Sequence, residues 1–227
     1  MFVKKFDHLD FPADRYVRAE RVETESMRLY RTPAGVLYPS VTTVLGSQPK
    51  PELDAWVKAV GEEEAKFVSS RAAHRGTHLH NMAEDYLNNR FDPKKANPIV
   101  LQDFLPIKKV LDEHVNNVFH TELQMWSDSL RVAGTTDLIA EYDNVLCLGD
   151  FKTSRRVKYE SDILDYFMQE AAYCVMAFER FGIVLKDIVT IMMVDGDPRP
   201  LVFKKKAVDY LDRFLEVRER FTQLHGI

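Results

Sequence analysis

Asp137, Asp150 and Lys152 stand inside two runs, VAGTTDLIAEYD (132–143) and NVLCLGDFKTS (144–154), that otherwise read as strands bound for a core. The turn at Tyr142-Asp143-Asn144 joins the runs, so the two aspartates can meet across the ladder on one face. Isolated carboxylates there would cost several kcal/mol in desolvation, and a bound cation is the usual compensation. Lys152 lies two residues beyond Asp150, and the period of two places both side chains on one face of the strand. Two readings stand: a metal site beside an ammonium group, or an ion cluster of Asp137, Asp150 and Lys152 at the end of a strand.

His80 and Glu84, four apart in a helical run, share a face with Gly76, whose missing side chain lets the helix approach a sheet or a phosphate closely. A neutral imidazole would complete an oxygen-rich ligand set, although a half-buried structural histidine has the same signature. His74 and His78 form a second such pair, but no cysteines or further histidines lie nearby to finish a zinc site, so they read as surface or phosphate contacts. Gln169 and Tyr173 are polar tips in MQEAAYCVMAF; they either reach the carboxylates or mark the boundary between core and solvent. Arg155, Arg156 and Lys158 follow the acidic strand directly, and Arg71 and Arg75 open the helix of His80, so a phosphate-binding rim around an acidic centre is expected. The lysines of FKKKAV (203–208) read as a solvated run.

The whole chain limits these options. It has 227 residues, 45% apolar and 29% charged, enough for one domain with a sizeable core. With 31 basic against 35 acidic residues the net charge is −4, so any polyanion site must be a local basic cleft, not a uniformly basic face. Cys147 and Cys174 sit in apolar runs, which argues against a disulfide framework, and two cysteines cannot hold a four-cysteine iron–sulfur cluster. A reducing, cytoplasmic setting is expected. The first eighteen residues carry no signal core, no window is long enough to span a bilayer, and no obvious exposed apolar helix face argues for more than a monomer.

The elements that must position these residues follow from periodicity. Residues 27–46 alternate about the turn Thr32-Pro33-Ala34-Gly35 and predict a hairpin. Helices are predicted over 52–70, 71–89 and 100–118, with Pro106 disturbing the third. Strands at 119–128, 130–143 and 144–154 form an antiparallel meander, a helix over 162–182 ends on Gly182, 186–196 is a buried strand, and 204–224 is a closing amphipathic helix. The expectation is a mixed α/β (α+β) fold in one domain: an N-terminal extension over 1–70, a core over 71–196 and a C-terminal helix over 197–227.

Taken in order, RGTHLHNMAE (75–84), AGTTDLI (133–139), GDFKTS (149–154) and QEAAY (169–173) resemble the RecB-like branch of the PD-(D/E)XK nucleases. YPSVTTVLG (38–46) is similar to a stretch of the mitochondrial genome maintenance exonuclease group and its phage relatives. The resemblance implies a restriction-endonuclease-like αβββαβ core. It implies His80, Asp137, Asp150 and the main chain of Phe151 as ligands of Mg²⁺ or Mn²⁺, and Lys152 as the catalytic lysine. Gln169 and Tyr173 would support the site, Glu84 and Glu122 are secondary candidates for metal or water contacts, and Ser40 and Thr42 would touch the DNA backbone together with Arg75, Arg155 and Arg156. Gly149 replaces the proline that names the superfamily. No iron–sulfur cluster is expected.

The expected activity is metal-assisted hydrolysis of DNA phosphodiesters, by an exonuclease that admits a single strand with a free end. The helical N-terminal half would cover the site, with Tyr38, Trp56 or Tyr86 available to stack on bases. Burial beside a dication would depress the Lys152 pKa toward a general-base role, whereas the neighbouring aspartates push it up. The rival readings are an inactive DNA-end-binding module of the same fold and a metallohydrolase acting on nucleotides.

Overall fold

The computed structural model describes residues 3–12, 16–24 and 27–227. Its centre is a six-stranded mixed sheet in the order β1-β5-β6-β7-β8-β9. These strands are β1 (Asp7–His8), β5 (Val115–Ser127), β6 (Val132–Tyr142), β7 (Val145–Ser154), β8 (Asp187–Val194) and β9 (Leu201–Lys206). A second sheet is antiparallel: β2 (Glu20–Glu23), β3 (Arg28–Arg31) and β4 (Leu37–Pro39). It joins the main sheet through Tyr30, Tyr38, Trp126 and Ala133.

The helices are α1 (Val41–Gly46), α2 (Pro51–Val60), α3 (Glu62–Leu87), α4 (Pro98–His114), α5 (Leu164–Phe181) and α6 (Val208–His225). Strand alternation divides the core between the two faces of the sheet. Leu138, Ala140, Phe151, Val189 and Ile191 pack with α3 and α4. Ile139, Leu148, Ile188 and Met192 pack with α1, α5 and α6. Strands β5, β6 and β7 form the expected antiparallel meander, and α5 carries the chain to β8, which lies parallel to β7. The mixed α/β class is as expected, and Gly182 caps α5 in the left-handed region at φ +72°.

Several boundaries differ from the sequence reading. The break between the first two long helices is at Gly61, not near residue 70: only there does the chain reach φ +89°, and Glu62, Glu63 and Glu64 then favour the positive end of a continuous α3. Pro106 sits inside α4 without ending it, and the helix stops at His114, where β5 begins. The second arm of the first hairpin ends at Pro39, because Ser40 caps α1 by accepting the Thr43 N–H at 2.9 Å. The lysine run belongs to β9, not to the start of α6. Lys204, Lys205 and Lys206 pair with Asp143, Glu160 and Asp187, and lysines on an edge strand discourage pairing with another sheet. Among the described residues, no helix is long and apolar enough to cross a membrane.

A candidate metal centre at a gap in the sheet

Strands β6 and β7 pair from Tyr142↔Val145 only as far as Leu138↔Gly149. Beyond that point β6 continues with β5 as far as Val132, while β7 continues with β8 as far as Ser154. The sheet therefore opens between Asp137 and Asp150. In the gap the Phe151 N–H is taken by a side chain, donating to Asp137 Oδ2 at 2.7 Å. Gly149 belongs to the last pair before the gap, and a Cβ there would lie 3.3 Å from Leu138 Cβ. The approach is tight enough to favour glycine.

Helix α3 supplies the imidazole. It lies against β7 at Gly76, where a Cβ would be 3.6 Å from Thr153 Oγ1, an ordinary contact that a small side chain would also make. One turn later, His80 Nδ1 sits 3.3 Å from Asp137 Oδ2. Glu122 on β5 completes a trio in which one ligand atom from each of His80, Glu122 and Asp137 lies within 4.8 Å of the others. Glu122 holds φ +49°, a left-handed conformation unfavourable for a side chain of its size. On β7, Lys152 Nζ is ion-paired with Asp150 Oδ2, and Asp150 is 1% exposed. The same Nζ stands 4.9 Å from the centre of the Tyr166 ring, a cation–π contact.

The titration behaviour shows how these charges are balanced without an ion. Burial alone would lower the His80 pKa, but the Asp137 carboxylate outweighs it and raises it to about 9. Burial would raise Asp137, yet the His80 and Lys152 charges and the Phe151 N–H hold it below the usual carboxylate range. Glu122 is pushed up to about 7 by burial and by the neighbouring Asp137. Asp150 rises to about 6, burial and Asp137 prevailing over the Lys152 ammonium. Burial works against the Lys152 charge, but Asp150 and Asp137 more than restore it and hold the group protonated. Two carboxylates and one imidazole nitrogen within 4.8 Å of one another are a donor set suited to a hard divalent ion, so His80, Glu122 and Asp137 fit Mg²⁺ or Mn²⁺, with the Asp150–Lys152 pair on the neighbouring strand. The main chain of Phe151 lies at the same gap, its N–H already engaged by Asp137.

Helix α5 closes the site from the other face. Gln169 Nε2 donates to the Tyr173 hydroxyl at 3.1 Å, and both side chains are buried. The Tyr173 ring lies directly over β6 at Gly134, where an added Cβ would come within 2.5 Å of the ring. That explains the glycine three residues before Asp137. Sequence reasoning missed three neighbours. Glu170 is fully buried and accepts from Thr190 Oγ1 at 2.9 and 3.0 Å, and Thr190 pairs in register with Asp150. Burial, with Asp150 adding to it, lifts the Glu170 carboxyl well above the usual range. Tyr166, under Lys152, is the third. The acid inside the apolar run MQEAAYCVMAF was a usable signal for Glu170; Thr190 and Tyr166 carry none in the sequence.

The remaining expected residues divide. Arg155 and Arg156 are exposed, as are His74, His78 and Arg71. Arg75 is bound by Asp103 at 2.7 Å and by Asp195, so its charge is largely answered within the protein. Glu84 accepts from Arg90 at 3.0 Å. Ser40 is 2% exposed and occupied by its cap and by the hydroxyls of Thr42 and Thr43; only Thr42 of the pair Ser40 and Thr42 is exposed. Tyr86 and Tyr38 cannot stack on bases as expected, because both are buried: Tyr86 bonds Asp112 and Tyr38 donates to Asp128 at 3.0 Å. Trp56 is half-buried on α2.

No family model matches this chain, and no curated protein does. Among solved structures it is similar to one titled "Crystal structure of SSO0001", with 14% identity and a TM-score of 0.44 over 90% of this chain and 79% of that one.

Proposed function

We propose that this chain is a divalent-cation-dependent deoxyribonuclease of the PD-(D/E)XK superfamily, RecB-like branch, acting as an exonuclease on single-stranded DNA. The observation that carries the reading is the meeting of His80, Glu122 and Asp137 within 4.8 Å at the strand gap beside the Asp150–Lys152 pair. The element order supports it: α3 carries the histidine, the meander β5-β6-β7 carries the acids and the lysine, α5 carries Gln169 and Tyr173, and β8 follows, a restriction-endonuclease-like arrangement with α4 inserted.

In this reading His80, Glu122, Asp137 and Asp150 hold Mg²⁺ or Mn²⁺. When bound, the ion supplies positive charge at the phosphate and acidifies water. Lys152 acts from the protein side. Its Nζ, aimed by Asp150 and kept protonated by the two aspartates, places an ammonium where negative charge accumulates on the phosphoryl oxygens and orients the attacking water. In the ion-free protein the two aspartates outweigh burial, which supports a charged, hydrogen-bond-donating lysine in this reading. His80 and the Phe151 N–H fix the Asp137 carboxylate, and the Tyr173 ring packed on Gly134 fixes the strand that bears it.

The test incubates end-labelled linear single-stranded DNA, duplex DNA and circular single-stranded DNA with and without Mg²⁺ or Mn²⁺. Ion-dependent shortening of linear single strands is expected, with the circle spared and with Lys152→Ala and Asp150→Asn inactive. Cleavage undiminished in either variant sinks the site assignment, and efficient cutting of the circle sinks the requirement for an end.

A further inference from the structure

A cleft of about 480 Å³ lies between the first half of α3 and the end of β7, lined by Arg71, His74, Arg75, His78, Thr153 and Arg155 among others. It begins where the chain leaves the site. Thr153 and Ser154 follow Lys152 directly, and His78 precedes His80 by two residues. Where α3 touches β7 at Gly76 the two elements lie against each other, and the cleft opens beside that contact.

Its charge is unevenly satisfied. Arg75 is held by Asp103 and Asp195, and Asp195 is the cleft's acidic lining residue. No carboxylate among the described residues pairs with Arg71 or Arg155, so two guanidinium groups face the same space uncompensated. One turn before Arg71, Phe67 is 56% exposed, with the Arg71 guanidinium 5.7 Å from its ring centre. Phe67, Arg71, His74 and His78 form one stripe along α3. A large exposed aromatic in line with free cations is the combination that holds unpaired bases and their phosphates.

We infer that this cleft is the track on which an extended single strand of nucleic acid is held as it leads to the metal centre, with phosphates on Arg71 and Arg155 and a base on Phe67. The inference deepens the nuclease reading and rests on it for the direction of the strand. The exposed Phe67 ring selects the ligand, because a single strand offers unpaired bases to stack on it and a duplex does not.

The test measures binding, not cleavage, in EDTA, by fluorescence anisotropy of a labelled single-stranded oligonucleotide across a salt series. Each phosphate contact removed lowers the log–log salt slope by about 0.7, so R71A/R155A is expected to lose about 1.4 from the slope of the unmodified protein. F67A is expected to bind about fivefold or more weakly with its slope unchanged. Circular dichroism of these surface variants should match the parent. Any of four results overturns the inference: no binding by the parent, an unchanged slope in R71A/R155A, duplex bound as tightly as the single strand, or displacement of the oligonucleotide by millimolar inorganic phosphate, which marks a phosphate site only. Binding that behaves as expected in a protein that cleaves nothing leaves the track standing and removes the nuclease reading; cleavage with an unaffected salt slope does the reverse.

Discussion

The Asp137 carboxylate on β6 accepts the main-chain N–H of Phe151 on β7 at 2.7 Å, at the place where these two strands cease to pair. A ladder hydrogen bond is thus replaced by one from a side chain. The substitution lets the sheet open without orphaning a buried donor, and it pins one Asp137 oxygen while His80 approaches the same atom. The gap and its acids are therefore parts of one arrangement.

Charge removal at the neighbouring pair should separate stability from chemistry. Lys152→Met leaves Asp150 buried and unpaired, and is expected to cost about 3 kcal/mol, whereas Asp150→Asn/Lys152→Met removes both charges and should recover most of that loss. Neither protein should cleave DNA. Urea unfolding of the two variants reads this directly, and equal stability of Lys152→Met and the parent would contradict a buried pair.

The candidate site was legible to the extent that its residues sit on regular elements. The period of two correctly put Lys152 with Asp150, and four-residue spacing identified Gln169 with Tyr173. What escaped depends on pairing across long separations. Nothing local in DIVTIMMV says that Thr190 will face Glu170, twenty residues earlier, and nothing in YPSVTTVLG around Ser40 distinguishes a surface contact from a buried helix cap. The edge strand β9 was hidden because three consecutive lysines suppress its apolar signal; their partners Asp143, Glu160 and Asp187 become neighbours only after folding. Conversely, Gly61 was visible as a residue, but its role as a helix boundary depends on a backbone angle that composition does not reveal.

Gly134→Ala tests the contact between α5 and β6. A Cβ at 2.5 Å from the Tyr173 ring cannot be absorbed without moving the ring or the strand, so a loss of about 1–3 kcal/mol is expected together with lower activity. The loss should shrink in a Tyr173→Leu background, where the obstructing ring is gone. A double-mutant cycle by thermal unfolding measures it, and purely additive costs would show that the ring is not what the methyl meets.

Glu122 is expected to be held in place at the expense of stability. Both replacements remove the half-buried acid, but glycine alone also removes the left-handed strain at φ +49°, so Glu122→Gly should unfold at a higher temperature than Glu122→Gln, by about 1 kcal/mol in free energy. Both variants should bind Mn²⁺ at least about tenfold more weakly. Calorimetric titration with differential scanning fluorimetry checks the two halves; unchanged Mn²⁺ affinity would remove Glu122 from the ligand set.

The pH dependence follows from His80. Its pKa in the ion-free protein is raised from 6.5 to about 9, so the stability it contributes is fully present below pH 6.5 and is lost as pH rises through about 9. Glu122, raised from 4.5 to about 7, has the same sign in a lower window: its contribution is present below pH 4.5 and gone above about 7. Ion-free protein should therefore melt at progressively lower temperature between pH 6.5 and 9. A divalent ion competes with these same protons, so Mn²⁺ should bind more tightly and stabilise more at pH 9 than at pH 6.5, and binding at pH 7 should release protons. Calorimetry in two buffers of different ionisation enthalpy counts them. His80→Ala should abolish the upper window of the stability loss and, because the His80 charge holds the Glu122 pKa down, shift the lower one upward; a variant whose melting profile matches the parent's up to pH 9 would assign the high-pH titration to some other group.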